Sequence, residues 1–214
     1  MSDALKMARL DQLSIKSPLG MYATLLLVLF ILSFVDLSIV VADISAAWVM
    51  ALNVPAVFLV QEKDGLDRLY ASLALSDREI VAGRYIYMFG HYFIALIVAT
   101  LFSVIVSMLL GESVSVVALA AGVALSMLMF TFIISIQTVI YFTIGFSKGQ
   151  VWGLIPYGTM LLLVIATVLS DSSMQMIYVL MQWPLVMIFV SLAASAGMVV
   201  ISYRTSLKSY RMFH

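Results

Sequence analysis

Cysteine is absent from this chain, which removes disulfides, thiolate nucleophiles and cysteine-ligated metals. Two histidines, His91 and His214, are too few for a histidine-based metal site. Charge is scarce as well. Only 10% of the residues are Asp, Glu, Lys or Arg, against about 25% in soluble domains. Formal net charge is zero, so no basic field points to nucleic acid. No G-x-x-x-x-G-K-[ST] phosphate loop or H-E-x-x-H motif occurs, and the GFSKG stretch around Lys148 has the wrong spacing to cradle phosphate. An enzyme is not expected. The first residues contain acids and no A-x-A-like cleavage site, so they read as retained and not as a signal peptide.

What remains is apolar: 64% of the chain is hydrophobic and mean hydropathy is +1.15. That composition predicts an integral membrane protein. Backbone in hydrocarbon must satisfy its own hydrogen bonds, and the apolar runs far exceed the ~10-residue strands of a barrel, so the expected class is all-α and polytopic. Six spans are predicted, at about 18–35, 44–60, 80–110, 116–145, 151–169 and 185–203. Residues 36–43 form a brief turn between the first two. Pro18 suits a helix start. Residues 1–17 are expected as an interfacial helix with Ala4, Leu5, Met7, Ala8, Leu10 and Leu13 on one face. Residues 170–184 are polar first and apolar later, and read as an interfacial or re-entrant segment. With six spans, all 11 Lys and Arg fall on one side, and the other side holds only Asp36, Asp43, Glu112 and Asp171. The positive-inside rule then puts both termini in the cytoplasm of a cell whose plasma membrane holds the chain. The four carboxylates are expected as a solvated outer rim or an exit vestibule.

One long charged segment interrupts the apolar runs, at 61–79. Leu66, Leu69, Tyr70, Leu73 and Leu75 give it a short helix with one apolar side, among Glu62, Asp67, Arg68, Ser76, Asp77 and Arg78. An amphipathic helix of this kind suits a groove on a soluble partner: Leu69, Tyr70 and Leu73 as buried anchors, Asp67, Arg68, Asp77 and Arg78 as rim charges. Inside the spans, His91, Asn53 and Gln137 are costly polar groups, either along a translocation path or bonding neighbouring helices. Asn53 with Pro55 predicts a kink. Ala118, Gly122 and Ser126, and Ala193 and Gly197, recur at every fourth residue and allow close helix packing, within the chain or between chains.

The order of these features resembles the membrane subunits of ATP-binding-cassette transporters of the type-2 exporter class, and within it the compact bacterial permeases related to amphipathic-peptide exporters. Three places carry the likeness. The first is Glu62–Lys63, then Ser72-Leu73-Ala74-Leu75-Ser76-Asp77-Arg78-Glu79-Ile80-Val81 and Arg84-Tyr85. The second is Tyr141, Phe142, Gly145, Phe146 and Lys148; the third is Ser202, Tyr203, Ser206, Tyr210, Arg211 and Phe213. Ala74 and Asp77 depart from the family pattern of proline and arginine. The resemblance implies that 61–79 is a coupling helix docked on a separate ATPase subunit, where ATP and Mg would bind. It also implies that two permease chains pair, as a homodimer or heterodimer, around a path for an amphipathic or hydrophobic cargo. A membrane scaffold or sensor recruiting a soluble partner is the alternative expectation. An ion-driven carrier using His91 and Asn53 is less favoured, because no internal repeat is visible.

Overall fold

The computed structural model describes residues 3–15, 19–35, 37–73, 75–170 and 182–213, apart from the side chains of Asp67, Arg68, Ala71, Thr167, Val168 and Phe213. The described secondary structure is helical: α1 (Asp3–Ser14), α2 (Leu19–Leu32), α3 (Ile39–Asn53), α4 (Ala56–Asp64), α5 (Asp67–Ser72), α6 (Asp77–Leu109), α7 (Val116–Ile144), α8 (Phe146–Gly149), a 3-10 turn (Trp152–Leu154), α9 (Ile155–Val168) and α10 (Pro184–Phe213).

Local chemistry sets the helix ends. Ser38 caps α3 by accepting the Val41 N–H at 3.3 Å, so the helix starts before Asp43 and draws that residue inside it. Ser115 caps α7 in the same way through the Ala118 N–H. Glu79 reaches back to the Ser76 N–H at 2.7 Å and opens α6. Between α3 and α4, Pro55 offers no N–H and breaks the helix ladder, and Asn53 Nδ2 donates to the Val49 carbonyl of its own helix at 2.7 Å. The two helices, interrupted at Val54 and Pro55, make one 26-residue stretch.

Four helical stretches are long and apolar enough to cross a membrane: Ile39–Asp64, Asp77–Leu109, Val116–Ile144 and Pro184–Met212, or five if α1 and α2 together make one bent crossing. The helices α2 and α9, with 14 residues each, cover about 21 Å, less than the ~30 Å hydrocarbon core. The expected 170–184 segment lies mostly outside the described residues.

The core is where α3 packs between α6 and α7, with α10 laid along the other side of α7. Tyr92 and Phe130 stack there with centroids 4.2 Å apart. A hydrogen-bonded seam joins α10 to α7: Ser202 Oγ donates to the Ser135 carbonyl at 2.6 Å, and Thr143 Oγ1 donates to Ser209 at 3.0 Å. By contrast, α9 is held at its first turn by Pro156 and Tyr157 and exposes Leu161, Leu162, Leu163, Val164 and Ile165. The α1 helix packs along α6. Gly83 makes room for it, because a Cβ there would stand 2.6 Å from Met7 Cβ.

Candidate functional site: a buried polar cluster behind the charged segment

The charged segment is a turn, a short helix and an extended pair of residues. Gly65 ends α4 with φ +61°, a conformation that glycine adopts without strain, and α5 follows. The α5 helix has two sides with different fates. Leu69 and Leu73 are 43% and 48% exposed, whereas Tyr70 is 1% exposed. Tyr70, expected as a partner-facing anchor, is therefore an internal one, because its hydroxyl finds hydrogen-bond partners beneath the segment.

Those partners, Arg84 and Asp11, come from α6 and α1, and Gln61 of α4 joins them through Arg84. Arg84 of α6, fully buried, donates from Nη2 to Gln61 Oε1 at 2.7 Å and to the Tyr70 hydroxyl at 3.0 Å. Its Nη1 stands 3.3 Å from Asp11 Oδ1 of α1, and both side chains have no exposed surface. The Tyr70 hydroxyl in turn donates to Asp11 Oδ1 at 3.4 Å. The guanidinium also lies over the Phe58 ring, 5.1 Å from its centroid. Breaking such a buried ion pair costs about 3–5 kcal/mol, because the remaining charge is left uncompensated. The cluster ties α1, α4, α5 and α6 into one block.

The remaining segment residues also bind their own chain. Glu62 Oε2 accepts the Ser147 N–H at 2.9 Å at the start of α8, just after Gly145 turns the backbone at φ +79°. The end of α4 is thus tied to the 146–150 loop. Asp77 pairs with Arg211 of α10 at 3.3 Å, and Tyr203 donates to the Arg78 carbonyl at 3.4 Å. Leu75 is half-buried, Ser76 is exposed at the start of α6, and Arg78 is exposed. The side chains of Asp67 and Arg68 lie outside the described residues. Leu73 and Leu75 line an open groove of about 450 Å³ with Leu10 and Leu13 of α1, rimmed by Lys6, Arg9 and Asp3. On that rim the Lys6 ammonium, bonded to Asp3, holds its carboxyl below the ordinary range. Leu13 and Leu5, expected on the membrane-facing side of α1, are exposed, and the packed side of that helix carries Met7 and Asp11.

The intramembrane polar groups are spread among different contacts. His91 lies between Tyr22, whose hydroxyl is 2.6 Å from Nδ1, and Gln12, whose Oε1 is 2.6 Å from Nε2. It joins α1, α2 and α6. Gln137 donates to the Gly153 carbonyl at 3.0 Å and to Tyr157 at 3.4 Å, holding the start of α9 on α7. Asn53 stays on its own helix, just before the break at Pro55. These three residues do not converge on one path. Ser126 is fully buried and bonded to Tyr92 at 2.9 Å, and Ala118 is half-buried on the same helix. Ala193 and Gly197 are exposed, and among the described residues a Cβ at Gly197 would meet nothing within 4 Å.

Asp43 requires a correction. It is not on an outer rim: it is fully buried in α3, with Thr100 Oγ1 2.7 Å from its Oδ1. Its Oδ2 is buried with no hydrogen-bond partner among the described residues. Gly122 exists to clear it, since a Cβ there would sit 2.5 Å from that oxygen. Of the other three carboxylates, Glu112 is exposed, and Asp36 and Asp171 lie outside the described residues.

Sequence reasoning missed Asp11, Gln61 and Arg84 as a unit. The available signal was an arginine two turns into α6, past its charged first turn and at the head of a long apolar run, which must find a counter-charge. Among the described residues no group of three His, Cys, Asp or Glu could hold a metal ion.

The family model described as ABC-2 family transporter protein matches residues 7–211, nearly the whole chain. No curated protein and no solved structure matches it. A chain of long apolar helices, a short charged helix braced from behind and this family match have one common reading. The chain belongs to the ABC-2 transporter family, as a membrane-integral permease subunit of an ATP-binding-cassette transporter, a component without a nucleotide-binding domain of its own.

Proposed function

We propose that this permease is half of an exporter, driven by a separate ATPase that grips α5 from the cytoplasm. The observation that carries the reading is the two-sided character of α5. Its Leu69 and Leu73 side is open, and its Tyr70 side is bolted to Arg84 at the base of α6. A short helix that is free on one side and braced on the other receives a push and passes it on without bending. The groove that Leu73 and Leu75 share with α1 extends the apolar landing surface.

In this mechanism ATP and Mg bind the partner, and closure of two ATPase subunits moves α5. Arg84 carries the displacement into α6 and Asp11 carries it into α1, while Glu62 carries it to α8 and the cytoplasmic end of α7. Two permease chains enclose the path, and the exposed apolar length of α9 is surface that a second chain or lipid covers. Six crossings with cytoplasmic termini agree with all 11 basic residues lying at one set of helix ends. The described spans offer few charges, which favours an amphipathic or lipid-like cargo moved outward across a bacterial plasma membrane.

The test is Leu69→Ala with Leu73→Ala. Both side chains are exposed, so the variant keeps its fold and its membrane insertion but loses copurification with the ATPase. Undiminished recovery of the ATPase would sink the docking claim.

A further inference from the structure

A second surface, away from α5, carries a different ligand chemistry. Between α7 and α10 an open groove of about 380 Å³ is lined by Phe132, Ile136, Val139, Met198, Ile201 and Thr205, and its walls are almost wholly apolar. The floor is closed by the Ser202–Ser135 hydrogen bond, so the groove is a fixed valley between two zipped helices. From Met198 to Thr205 it runs about 10 Å along the axis, roughly a third of the hydrocarbon core.

At its mouth the chemistry changes sign. Lys208 follows Thr205 by three residues and Ile201 by seven, so it stands on the same helix face one turn further on. Arg204 flanks it. Both are exposed, and among the described residues neither has an acidic partner. Arg211 follows on the same side and shares its charge with Asp77, the acid paired there. Ile201 is 69% exposed one turn before these cations, so an apolar surface gives way to a basic one within a few residues. An apolar slot under unpaired cations is complementary to one molecule in two parts, an acyl chain and an anionic headgroup.

We propose that the α7–α10 groove binds an anionic phospholipid, its phosphate at Lys208 and Arg204 and one acyl chain along Val139 and Ile201. The site shares no lining residue with the proposed ATPase-docking surface on α5 and its groove.

The experiment uses the full chain purified in mild detergent and exposed to equal amounts of phosphatidylglycerol and phosphatidylcholine, with retained lipid counted by native mass spectrometry. The wild-type chain retains at least fivefold more phosphatidylglycerol, since a basic residue near a membrane surface contributes about a fivefold preference. Arg204→Gln with Lys208→Gln equalises the two lipids, and Val139→Trp, which fills the slot, lowers retention of both. Equal retention by the wild-type chain overturns the proposal. So does a preference that survives the glutamine pair. A preference that ignores Val139→Trp reduces the site to surface charge and overturns the groove, and lipid loss accompanied by a changed oligomeric mass makes the groove a contact between chains and overturns it as well.

Discussion

Two buried carboxylates show how differently the two ends of this molecule are built. Asp11 sits at the charged end, 3.3 Å from Arg84 and within reach of Tyr70. Asp43 sits in the opposite half of the helical core with a single hydroxyl, that of Thr100, and an Oδ2 facing the bare backbone of Gly122. Both are fully buried. The difference follows from where the cations are. The facing helices α2 and α7 contain no Lys or Arg, and the nearest on α6 is Arg84, 16 residues from Thr100, about 24 Å along the axis. One end can therefore build a charged network that joins four helices, and the other can only make room for a lone carboxyl.

That contrast can be broken experimentally, beginning at the charged end. Arg84→Ala leaves Asp11 buried without its counter-ion, and Asp11→Asn does the reverse to Arg84. Each is expected to cost about 3–5 kcal/mol in the unfolding free energy of the detergent-solubilised protein. A loss below about 1 kcal/mol in both would mean that the network is not a structural unit. Gly122→Ala puts a methyl group into Asp43 and is expected to cost about 1–3 kcal/mol. Adding Asp43→Ala should recover most of that loss, and a double-mutant cycle with no coupling would show that the notch serves something else. Asp43→Asn keeps the shape and breaks no ion pair, so about 1 kcal/mol or less is expected, several-fold below Asp11→Asn. Equal losses for these two asparagine variants would erase the comparison. The smallest effect is expected from Tyr22→Phe, which removes one hydrogen bond to His91 and should lower the melting temperature by an amount equivalent to about 1 kcal/mol.

The long apolar runs were legible because hydropathy needs no knowledge of neighbours, and α3 with α4, α6, α7 and α10 follow them closely. The break between α3 and α4 was legible because Pro55 acts on its own helix. Gly122 and Ser126 stood out by spacing, but the reason for Gly122 did not: it clears Asp43, 79 positions earlier in the chain. Asp43 itself was placed in a turn because hydropathy alone starts the second apolar run after it, whereas the cap at Ser38 starts the helix sooner. Tyr70 was assigned to the outer surface because spacing identifies an apolar side without saying what that side meets.

Composition and hydropathy were enough, without any coordinates, to determine that this chain is integral to a membrane and helical. Those properties are sums over local segments, each judged against lipid or water alone. Only the tertiary structure decided that Asp11, Gln61, Tyr70 and Arg84 form one cluster, that Glu62 holds the 146–150 loop, and which side of α5 stays open. Such contacts join residues tens of positions apart, and their energies depend on distances of a few ångströms that are set when the helices pack.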